Sequence, residues 1–524
     1  MGYAIQILGR LTPQFAEILT RDALHFIADL SAEIEPTRKL LMQARVSRQA
    51  HLDAGILPDL SSPDSGIRAK AWRVPPAPAD LQDRRVEITG PASDRKMVLG
   101  ALNSGARGYM ADFEDANSPG WTQCIEGQIN LRDAVRRTLS IRRSDGGEER
   151  LQERIATLHV RPRGLHLQER HVLIDGHPVS AALFDFGLFL FHNARAQVER
   201  RTGPYVYLPK MQSHLEARLW NDAFTRAQDA LGIPHGTIRA TVLIEHILAA
   251  FEMEQILYEL RDHVTALNLG RWDYIYSYIK AFRSAEWSVM PDRGQVTMAT
   301  KFLRSPAELL VATCHKRGAH ALGGMSAFIP RKDDPEVNAK AMAQVRADKE
   351  REASQGFDGA WVAHPGLISP VVEVFDRAFK GPNQLGRIPE IDVTAADLLE
   401  APKGEITEQG VRGNISVALQ YIEAWAQGRG AVAISNLMED TATAEIARSQ
   451  LWHWIKRGAK LADGRPVTQG LYYRFRTEEA ARLADARRGQ SAGALDKAVD
   501  LLDELVVSEG FVEFLTIPGY RYLE

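Results

Sequence analysis

Eight short apolar segments recur between residues 86 and 367, and each ends in glycine, proline or a charged residue. They lie at 86–91, 108–115, 157–164, 205–212, 240–247, 264–273, 319–330 and 360–367. Stretches with helical periodicity lie between them, for example 214–231 and 249–263. Regular alternation of strands and helices is typical of a parallel sheet covered by helices.

Two α/β architectures fit this alternation. Eight strand–helix units over about 280 residues match the size of a (β/α)8 barrel. A doubly wound sheet instead requires a glycine-rich phosphate turn after its first strand, and the segment GPASDRK at 90–96 lacks that pattern. The sequence therefore predicts an α/β chain built on a (β/α)8 TIM barrel.

The regions on either side of the eight segments have a different pattern. Residues 14–50 have apolar positions on one helical face, and Pro36 predicts that a new helix begins there. Residues 61–80 are rich in proline, which predicts an extended connector. Helical periodicity dominates from about residue 395. We expect three parts, at 1–80, 81–394 and 395–524.

Composition excludes several classes of protein. A formal net charge of −3 with no basic block argues against a nucleic-acid partner. No apolar run reaches the roughly 18 residues of a membrane span. The two cysteines, Cys124 and Cys314, lie far apart and outside any CxxC motif, which suits a reducing compartment. The N-terminus is a poor signal peptide, so we expect a cytoplasmic protein.

In a (β/α)8 barrel, side chains at the carboxyl ends of the strands meet at one mouth. The polar residues that follow the predicted strands are Asp112, Glu114, Asp115, Arg161, Arg163, Lys210, Glu245, His246, Arg271, Asp273 and His364. Carboxylates without thiolates favour Mg²⁺ or Mn²⁺, and Glu245 and Asp273 come from adjacent strands. The arginines and Lys210 indicate an anionic substrate. A zinc site is disfavoured because no HExxH spacing occurs.

Each candidate also has a structural interpretation. Glu245 and Asp273 could be solvated acids at loop ends or helix N-caps. Arg163 could pair with the acids at 112–115 as a structural network. Before any family is considered, Asp440 is best interpreted as an N-cap, with Glu439 favoured by the helix dipole.

Residues 261–280, RDHVTALNLGRWDYIYSYIK, closely resemble the signature of the malate synthases, specifically the shorter bacterial and plant A-type enzymes. The signature usually has glycine and phenylalanine at the positions of Ala266 and Tyr276. The resemblance extends nearly from end to end of the chain. Its other motifs, in the same order along the chain, lie at 80–91, 110–121, 126–135, 161–167, 207–213, 243–247, 313–330, 363–367, 420–425 and 437–446.

This resemblance implies a barrel with a helical N-terminal clasp and a helical C-terminal plug over the mouth. It implies Mg²⁺-dependent Claisen condensation of acetyl-CoA with glyoxylate, followed by hydrolysis to malate and CoA. The family assigns roles to individual residues as follows: Glu245 and Asp273 bind Mg²⁺, Arg163 contacts glyoxylate and stabilises negative charge, and Asp440 removes the acetyl proton. Backbone groups at Gly270, Arg271, Trp272 and Asp273 are expected to hold the glyoxylate carboxylate.

The CoA site is less defined by the sequence. The segment after the seventh strand, including Met325, Phe328, Arg331 and Lys332, is expected to hold the adenine and pantetheine arm, although Arg331 and Lys332 could equally be a solvated loop. Pro330 resembles a family residue at the CoA site.

Two other functions remain to be compared with the condensation. One is a Mg²⁺-dependent C–C lyase acting on malyl-CoA or a related acyl-CoA ester, and the motif at 437–446 argues against it because such lyases lack the plug. The other is a non-catalytic binding protein for acyl-CoA or a metabolite. It is disfavoured because Arg163, Glu245, Asp273 and Asp440 are all present.

Overall fold

The computed structural model describes residues 2–60, 65–331, 333–486 and 493–523. Its centre is a closed barrel of eight parallel strands whose order around the barrel follows the chain. The strands are β1 Val86–Pro91, β2 Gly108–Asp112, β3 Thr157–Arg161, β4 Tyr205–Leu208, β5 Arg239–Ile244, β6 Val264–Leu269, β7 His320–Ser326 and β8 Gly359–Val362. Each strand lies at one of the eight predicted segments, so the predicted (β/α)8 class is confirmed.

Helices surround the barrel and form most of both flanking regions. The N-terminal helices are α1 Pro13–Ile18, α2 Arg21–Asp53 and α3 Ser65–Ala69. The helices of the barrel region are α4 Arg95–Leu102, α5 Trp121–Arg136, α6 Ala181–Arg200, α7 His214–Leu231, α8 Ile247–Ala250, α9 Met253–Glu259, α10 Trp272–Ala281, α11 Lys301–Arg317, α12 Pro335–Gln355 and α13 Ile368–Ala378. The C-terminal helices are α14 Ala395–Leu399, α15 Glu408–Trp425, α16 Thr441–Lys456, α17 Gln469–Ala486, α18 Gly493–Val507 and α19 Thr516–Gly519.

The long helix α2 continues through Pro36, so the prediction that a new helix begins there is wrong. A proline inside a helix costs about 3 kcal/mol because it removes one hydrogen bond and crowds the preceding turn. Packing of α2 against α6 and α7 offsets this cost, with Ile27, Leu30 and Ile34 buried. Of the predicted proline-rich connector, residues 61–64 lie outside the described residues, and α3 occupies part of the remainder.

Within the described ranges, three small sheets lie outside the barrel. The first joins Ile5–Ile7, Gln168–Ile174 and His177–Ser180, and the second joins Ser140–Arg142 to Glu148–Arg150. The third is a hairpin of Val432–Ile434 and Leu437–Glu439, within the region predicted from sequence to be helical. The hairpin strands have three residues each, too few to show an alternating pattern, which explains why the sequence did not reveal them.

The hydrophobic core has separate parts. The inside of the barrel is filled by Met110, Tyr207, Leu243, Ala266, Leu322 and Trp361. The outer faces of the strands pack against the surrounding helices in a much larger cluster. The C-terminal helices have a hydrophobic cluster of their own, which includes Trp425 and Trp454. The C-terminal helices thus pack around a hydrophobic cluster of their own beside the barrel.

No helix in the described part of the chain combines the length and apolar character needed to cross a membrane.

Candidate active site

A cavity of about 360 Å³ lies at the carboxyl ends of the barrel strands. The barrel and the C-terminal region both line it, and the polar lining residues include Asp115, Arg161, Glu245, Asn268, Arg271, Asp273, Lys349, Glu439 and Asp440. A second cavity, of about 890 Å³, lies near the opposite strand ends, beside Thr157 and Leu158 of β3. None of the predicted site residues is among the described residues that line this larger cavity. The smaller cavity is therefore the candidate site.

Asp115, Glu245 and Asp273 form a buried acidic cluster in this cavity. One carboxylate oxygen of each residue lies within 4.8 Å of the others. Glu245 follows β5 directly, and Asp273 lies in the first turn of α10. The predicted pair is thus brought together, and Asp115, whose role the sequence left open, joins it.

Gly270 allows the chain after β6 to pass close to Glu245. A Cβ atom on residue 270 would lie 2.8 Å from the Cβ of Glu245, which is closer than two carbon atoms can pack. A glycine is therefore required here if Glu245 is to keep its position beside Asp273.

Lys210 places its ammonium among these acids. Its Nζ lies 2.6 Å from Asp115, 2.9 Å from Asp273, 3.2 Å from Glu114 and 3.7 Å from Glu245. Asp115 Oδ1 and Asp273 Oδ1 are buried and find no hydrogen-bond partner in the part of the chain that the structure describes. Several carboxylates thus share one ammonium, and two buried oxygens remain available as ligands.

The pKa values reflect this excess of negative charge. Burial, together with the charge of Asp115, raises the pKa of Asp273 well above its usual value. The same two causes raise the pKa of Glu114. At Asp115 burial acts in the same direction, but Lys210 and Arg161 outweigh it and the pKa is lowered. Burial and like charge thus disfavour the charged forms of Asp273 and Glu114, and a further cation would favour them.

Asp112 fixes Arg161 at the edge of the cavity. The Nε of Arg161 donates to Asp112 Oδ1 over 2.7 Å, and its Nη1 lies 3.5 Å from Asp115. Asp112 also accepts hydrogen bonds from the backbone N–H groups of Glu114 and Ala116, at 2.8 and 2.7 Å. Asp112 thus orients both the guanidinium and the loop that carries Asp115.

Arg163, the arginine selected from the sequence, lies elsewhere. Its guanidinium is fully buried and donates to Asp185 over 2.8 Å, to Glu169 over 2.9 Å and to the hydroxyl of Tyr520 over 2.8 Å. It is not among the described residues that line the cavity. Strand β3 ends at Arg161, so only that arginine follows the strand into the mouth, and the chain then turns away. The structure does not bring Arg163 to the acidic cluster.

Asp440 occupies the N-cap position of α16, yet its carboxylate makes no capping hydrogen bond. Thr443 instead donates to the side chain of Glu439 over 2.6 Å. Burial and then the charge of Asp115 raise the pKa of Asp440 to about 7. The side chain at the cap position is thus left available to the cavity.

Contacts beside Asp440 bind the C-terminal region to the acidic loop. The backbone N–H and the hydroxyl of Thr441 both donate to the carbonyl of Asp115, over 3.2 and 3.0 Å. The Tyr421 hydroxyl also donates to that carbonyl, over 3.2 Å. Asp440 is therefore held over the loop that supplies Asp115.

The remaining residues predicted to bind substrate or CoA differ in whether they line the cavity. Gly270, Arg271 and Trp272 line the cavity, and the Arg271 guanidinium lies 4.3 Å from the centre of the Trp272 ring. Met325 and Phe328 line it as well, but Pro330 does not.

Two further candidates, His364 and His246, lie outside the acidic cluster. His364 accepts a hydrogen bond from Gly366 N over 3.0 Å and caps a short turn. His246 caps α8 in the same way, through Leu248 N. Lys332 lies outside the described residues.

This arrangement combines three kinds of group: metal-binding carboxylates, a separate carboxylate and a cation. The acidic cluster supplies oxygen ligands for a divalent cation such as Mg²⁺. Asp440 is an unbonded carboxylate that reaches the same cavity from another part of the chain, and Arg161 is a cation at its edge. Together they can polarise a bound carbonyl compound, remove a proton and stabilise the resulting negative charge.

Three family models match the chain. "Malate synthase, TIM barrel domain" matches residues 157–401, "Malate synthase, C-terminal" matches 405–523, and "Malate synthase, N-terminal domain" matches 4–65. Together they cover most of the chain.

Full-length relatives are also similar. Malate synthase of Myxococcus xanthus (strain DK1622) is 53% identical and spans 100% of this chain and 97% of the relative. Malate synthase A of Escherichia coli (strain K12) is 47% identical, and the match covers 97% of this chain and 96% of the relative. Among solved structures, "Haloferax volcanii Malate Synthase Magnesium/Glyoxylate Complex" is 16% identical with a TM-score of 0.43, over 80% of this chain and 99% of that one.

Proposed function

The chain belongs to the malate synthase family, and we propose that its reaction takes place in the cavity at the barrel mouth. It is an acyltransferase that condenses acetyl-CoA with glyoxylate and hydrolyses the product to malate and CoA. The C–C lyase function is not favoured, because relatives at about half identity over the whole chain are malate synthases. The observation that supports this location best is the acidic cluster with Asp440 beside it.

Glu245, Asp273 and Asp115 would hold Mg²⁺, or Mn²⁺, in the acidic cluster. The unpaired buried oxygens of Asp115 and Asp273 fit a divalent cation, and hard carboxylate ligands suit both metals. When bound, the cation would polarise the carbonyl of glyoxylate as a Lewis acid. The backbone N–H groups of residues 271–273 begin α10 and would receive the glyoxylate carboxylate.

Asp440 is the base that takes a proton from the acetyl methyl group. A general base must be deprotonated at the working pH, and a pKa of about 7 makes Asp440 both available and strong enough as an acceptor. Its carboxylate makes no capping hydrogen bond to α16, so it is available for this transfer.

Arg161, rather than Arg163, would stabilise the negative charge of the enolate. Arg161 lines the cavity, whereas Arg163 is bonded to Asp185, Glu169 and Tyr520. Conservative lysine variants separate the two roles: Arg161→Lys should lower kcat about 100-fold in a folded protein. Arg163→Lys should mainly lower the unfolding midpoint. The reverse pattern would return the catalytic role to Arg163.

For acetyl-CoA we place the pantetheine arm on the segment after β7. Met325 and Phe328 supply apolar lining there, and Pro330 follows them closely in the chain. Leu and Ala variants of Phe328 should raise the KM for acetyl-CoA while leaving that for glyoxylate unchanged. Equal effects on both substrates would contradict this placement.

The division into 1–80, 81–394 and 395–524, as clasp, barrel and plug, is likewise our proposal. Its support is that the barrel strands begin at Val86 and that the hydrophobic cluster of the C-terminal helices begins at Ile406. Limited proteolysis should cut near these boundaries first.

We also place the enzyme in the cytoplasm, since both cysteines are buried and unpaired. Cell fractionation tests this location.

The reaction itself is tested with purified protein, acetyl-CoA, glyoxylate and Mg²⁺. Release of free thiol should depend on glyoxylate, and malate should form in equal amount. The control omits glyoxylate. Absence of glyoxylate-dependent thiol, or malyl-CoA cleavage as the dominant activity, would overturn the proposed function.

A further inference from the structure

The two helices that carry Asp273 and Asp440 pack against each other. Asp273 lies in the first turn of α10, and Asp440 is the cap residue of α16. Helices α10 and α16 are in direct contact. Because each helix moves as a stiff rod over a few turns, a contact at its far turns also fixes the residues at its start.

On α10, Tyr276 and Lys280 follow Asp273 on the same face, at spacings of three and seven residues. The Tyr276 hydroxyl donates to the backbone carbonyl of Glu513. Lys280 Nζ donates to the carboxylate of Glu513 over 2.6 Å and lies 4.6 Å from the centre of the Phe514 ring. Lys280 is 5% exposed, so this cation is withdrawn from water and depends on these contacts.

On α16, Arg448 and Glu445 hold the same C-terminal segment. Arg448 donates to the carbonyl of Val512 over 2.7 Å and to that of Glu513 over 3.2 Å. Glu445 accepts a hydrogen bond from Leu515 N over 2.7 Å. Both side chains are fully buried.

Residues 511–515 therefore bridge the two helices. Arg448 Nη2 also donates directly to the Tyr276 hydroxyl over 3.0 Å, which closes the network across the helix interface. The Phe514 ring stacks on His166, in the loop after β3, with 4.0 Å between ring centres. The bridge lies about 10 Å along α10 from Asp273, and residues 511–515 are not among the described residues that line the cavity.

We propose that residues 511–515 form a latch that fixes Asp440 relative to Asp273, and that Lys280 and Glu513 are positioning residues for the condensation. This inference rests on the proposed role of Asp440. Neither residue lines the cavity, so neither supplies a group to the reaction. Their effect is on the distance between the base and the acidic cluster, to which catalysis is steeply sensitive.

The first test uses Lys280→Met and Glu513→Gln in the full-length enzyme. We expect each to lower kcat about 10- to 100-fold, with unchanged KM for glyoxylate and unchanged Mg²⁺ binding. The double variant should lose no more than Lys280→Met alone, since both changes break one contact. The control is Glu504→Gln, which removes a surface ion pair with Arg521 in the same region and should leave kcat unchanged.

A second measurement is independent of activity. Amide hydrogen exchange over residues 437–445 should be faster in both latch variants than in the wild type, because Asp440 and the start of α16 become mobile. Lys280→Met removes the buried ammonium itself, and its partner Glu513 is 41% exposed at its side chain, so this variant leaves no unpaired buried charge and should fold.

Unchanged exchange, or kcat within about twofold of wild type in both variants, would overturn the latch. Equal losses in kcat and in Mg²⁺ affinity would overturn it too, since they would indicate general loosening of the mouth. Because exchange is measured without substrate, a failed latch is distinguishable from a failed assignment of Asp440.

Discussion

At the scale of single residues, the acidic cluster is suited to a further cation. Lys210 contacts Asp115 and Asp273 at once, yet one buried oxygen of each finds no hydrogen-bond partner among the described residues. Burial and the neighbouring charge of Asp115 raise the pKa of Asp273, so the cluster resists full ionisation. A divalent cation would remove that resistance and satisfy both oxygens.

Glu245 and Glu114 are neighbours in the site, and replacing each by glutamine should affect Mg²⁺ binding differently. Glu245→Gln should weaken Mg²⁺ binding about 10- to 100-fold, because it removes a charged ligand. Glu114→Gln is the control and should change it little, because burial and the charge of Asp115 already favour the protonated form of Glu114. Calorimetric titration with Mg²⁺ measures both. Equal affinity in the two variants would remove Glu245 from the ligand set.

The pKa of Asp440 predicts the pH dependence of turnover. Burial and the charge of Asp115 raise this pKa to about 7, and the base acts only when deprotonated. The rate should therefore fall as pH decreases below the pKa, by about tenfold per unit. Positive charge favours the carboxylate, so the fall should move to lower pH as Mg²⁺ is increased. A pH profile that does not respond to Mg²⁺ would contradict this placement of Asp440 beside the metal site.

The residues of the site differ in how well the sequence predicted them. Glu245 and Asp273 follow adjacent strands, and the convergence of strand ends in a barrel was enough to pair them. Asp115 and Arg161 were named as strand-end residues, but the path of a loop beyond a strand has no periodicity from which to assign their partners. Asp440 was assigned as a base only through the family, since its position is also that of an N-cap.

At the scale of elements, the hairpin of Val432–Ile434 and Leu437–Glu439 sets the approach of Asp440 to the cavity. Its turn residues Ser435 and Asn436 both have positive φ, at 50° and 64°, as a two-residue hairpin turn requires. Two backbone hydrogen bonds join the hairpin to the segment after β7. Ile329 N donates to Asn436 O over 2.8 Å, and Met438 N donates to Ala327 O over 2.7 Å. The barrel thus holds the strand that leads into Asp440.

Substitution at the turn tests this role. Asn436→Val should destabilise the protein by about 1–2 kcal/mol, because a β-branched residue is strained at positive φ. It should also lower kcat by displacing the strand that precedes Asp440. Asn436→Gly is the control and should retain both properties. Denaturant unfolding and steady-state kinetics measure the two effects, and wild-type behaviour of Asn436→Val would show that the turn does not position Asp440.

The elements that the sequence predicted best are those with long, regular patterns. All eight barrel strands were located from apolar segments bounded by glycine, proline and charge, and α7 was located at its observed residues 214–231. The sequence did not show that α2 continues through Pro36, because that depends on packing against α6 and α7. The short hairpin was missed because its strands of three residues are too short to show an alternating pattern.

At the scale of the whole molecule, the site is built from two regions of the chain. The barrel supplies the acidic cluster and Arg161, and the C-terminal region, which has its own hydrophobic cluster, supplies Asp440. Thr441 and Tyr421 bind the carbonyl of Asp115 and so join the two regions at the site itself. The acidic cluster thus belongs to the barrel, and the proposed base belongs to the C-terminal region.

The most direct test of that separation is Asp440→Asn, with turnover and Mg²⁺ binding measured on the same preparation. The control is Asp463→Asn, which changes an exposed aspartate paired with Arg465 in the same region. We predict that Asp440→Asn lowers kcat by about 100- to 10,000-fold while Mg²⁺ and glyoxylate binding stay as in the wild type. Turnover close to that of the wild type would show that Asp440 is only the cap residue of α16 and would contradict the account.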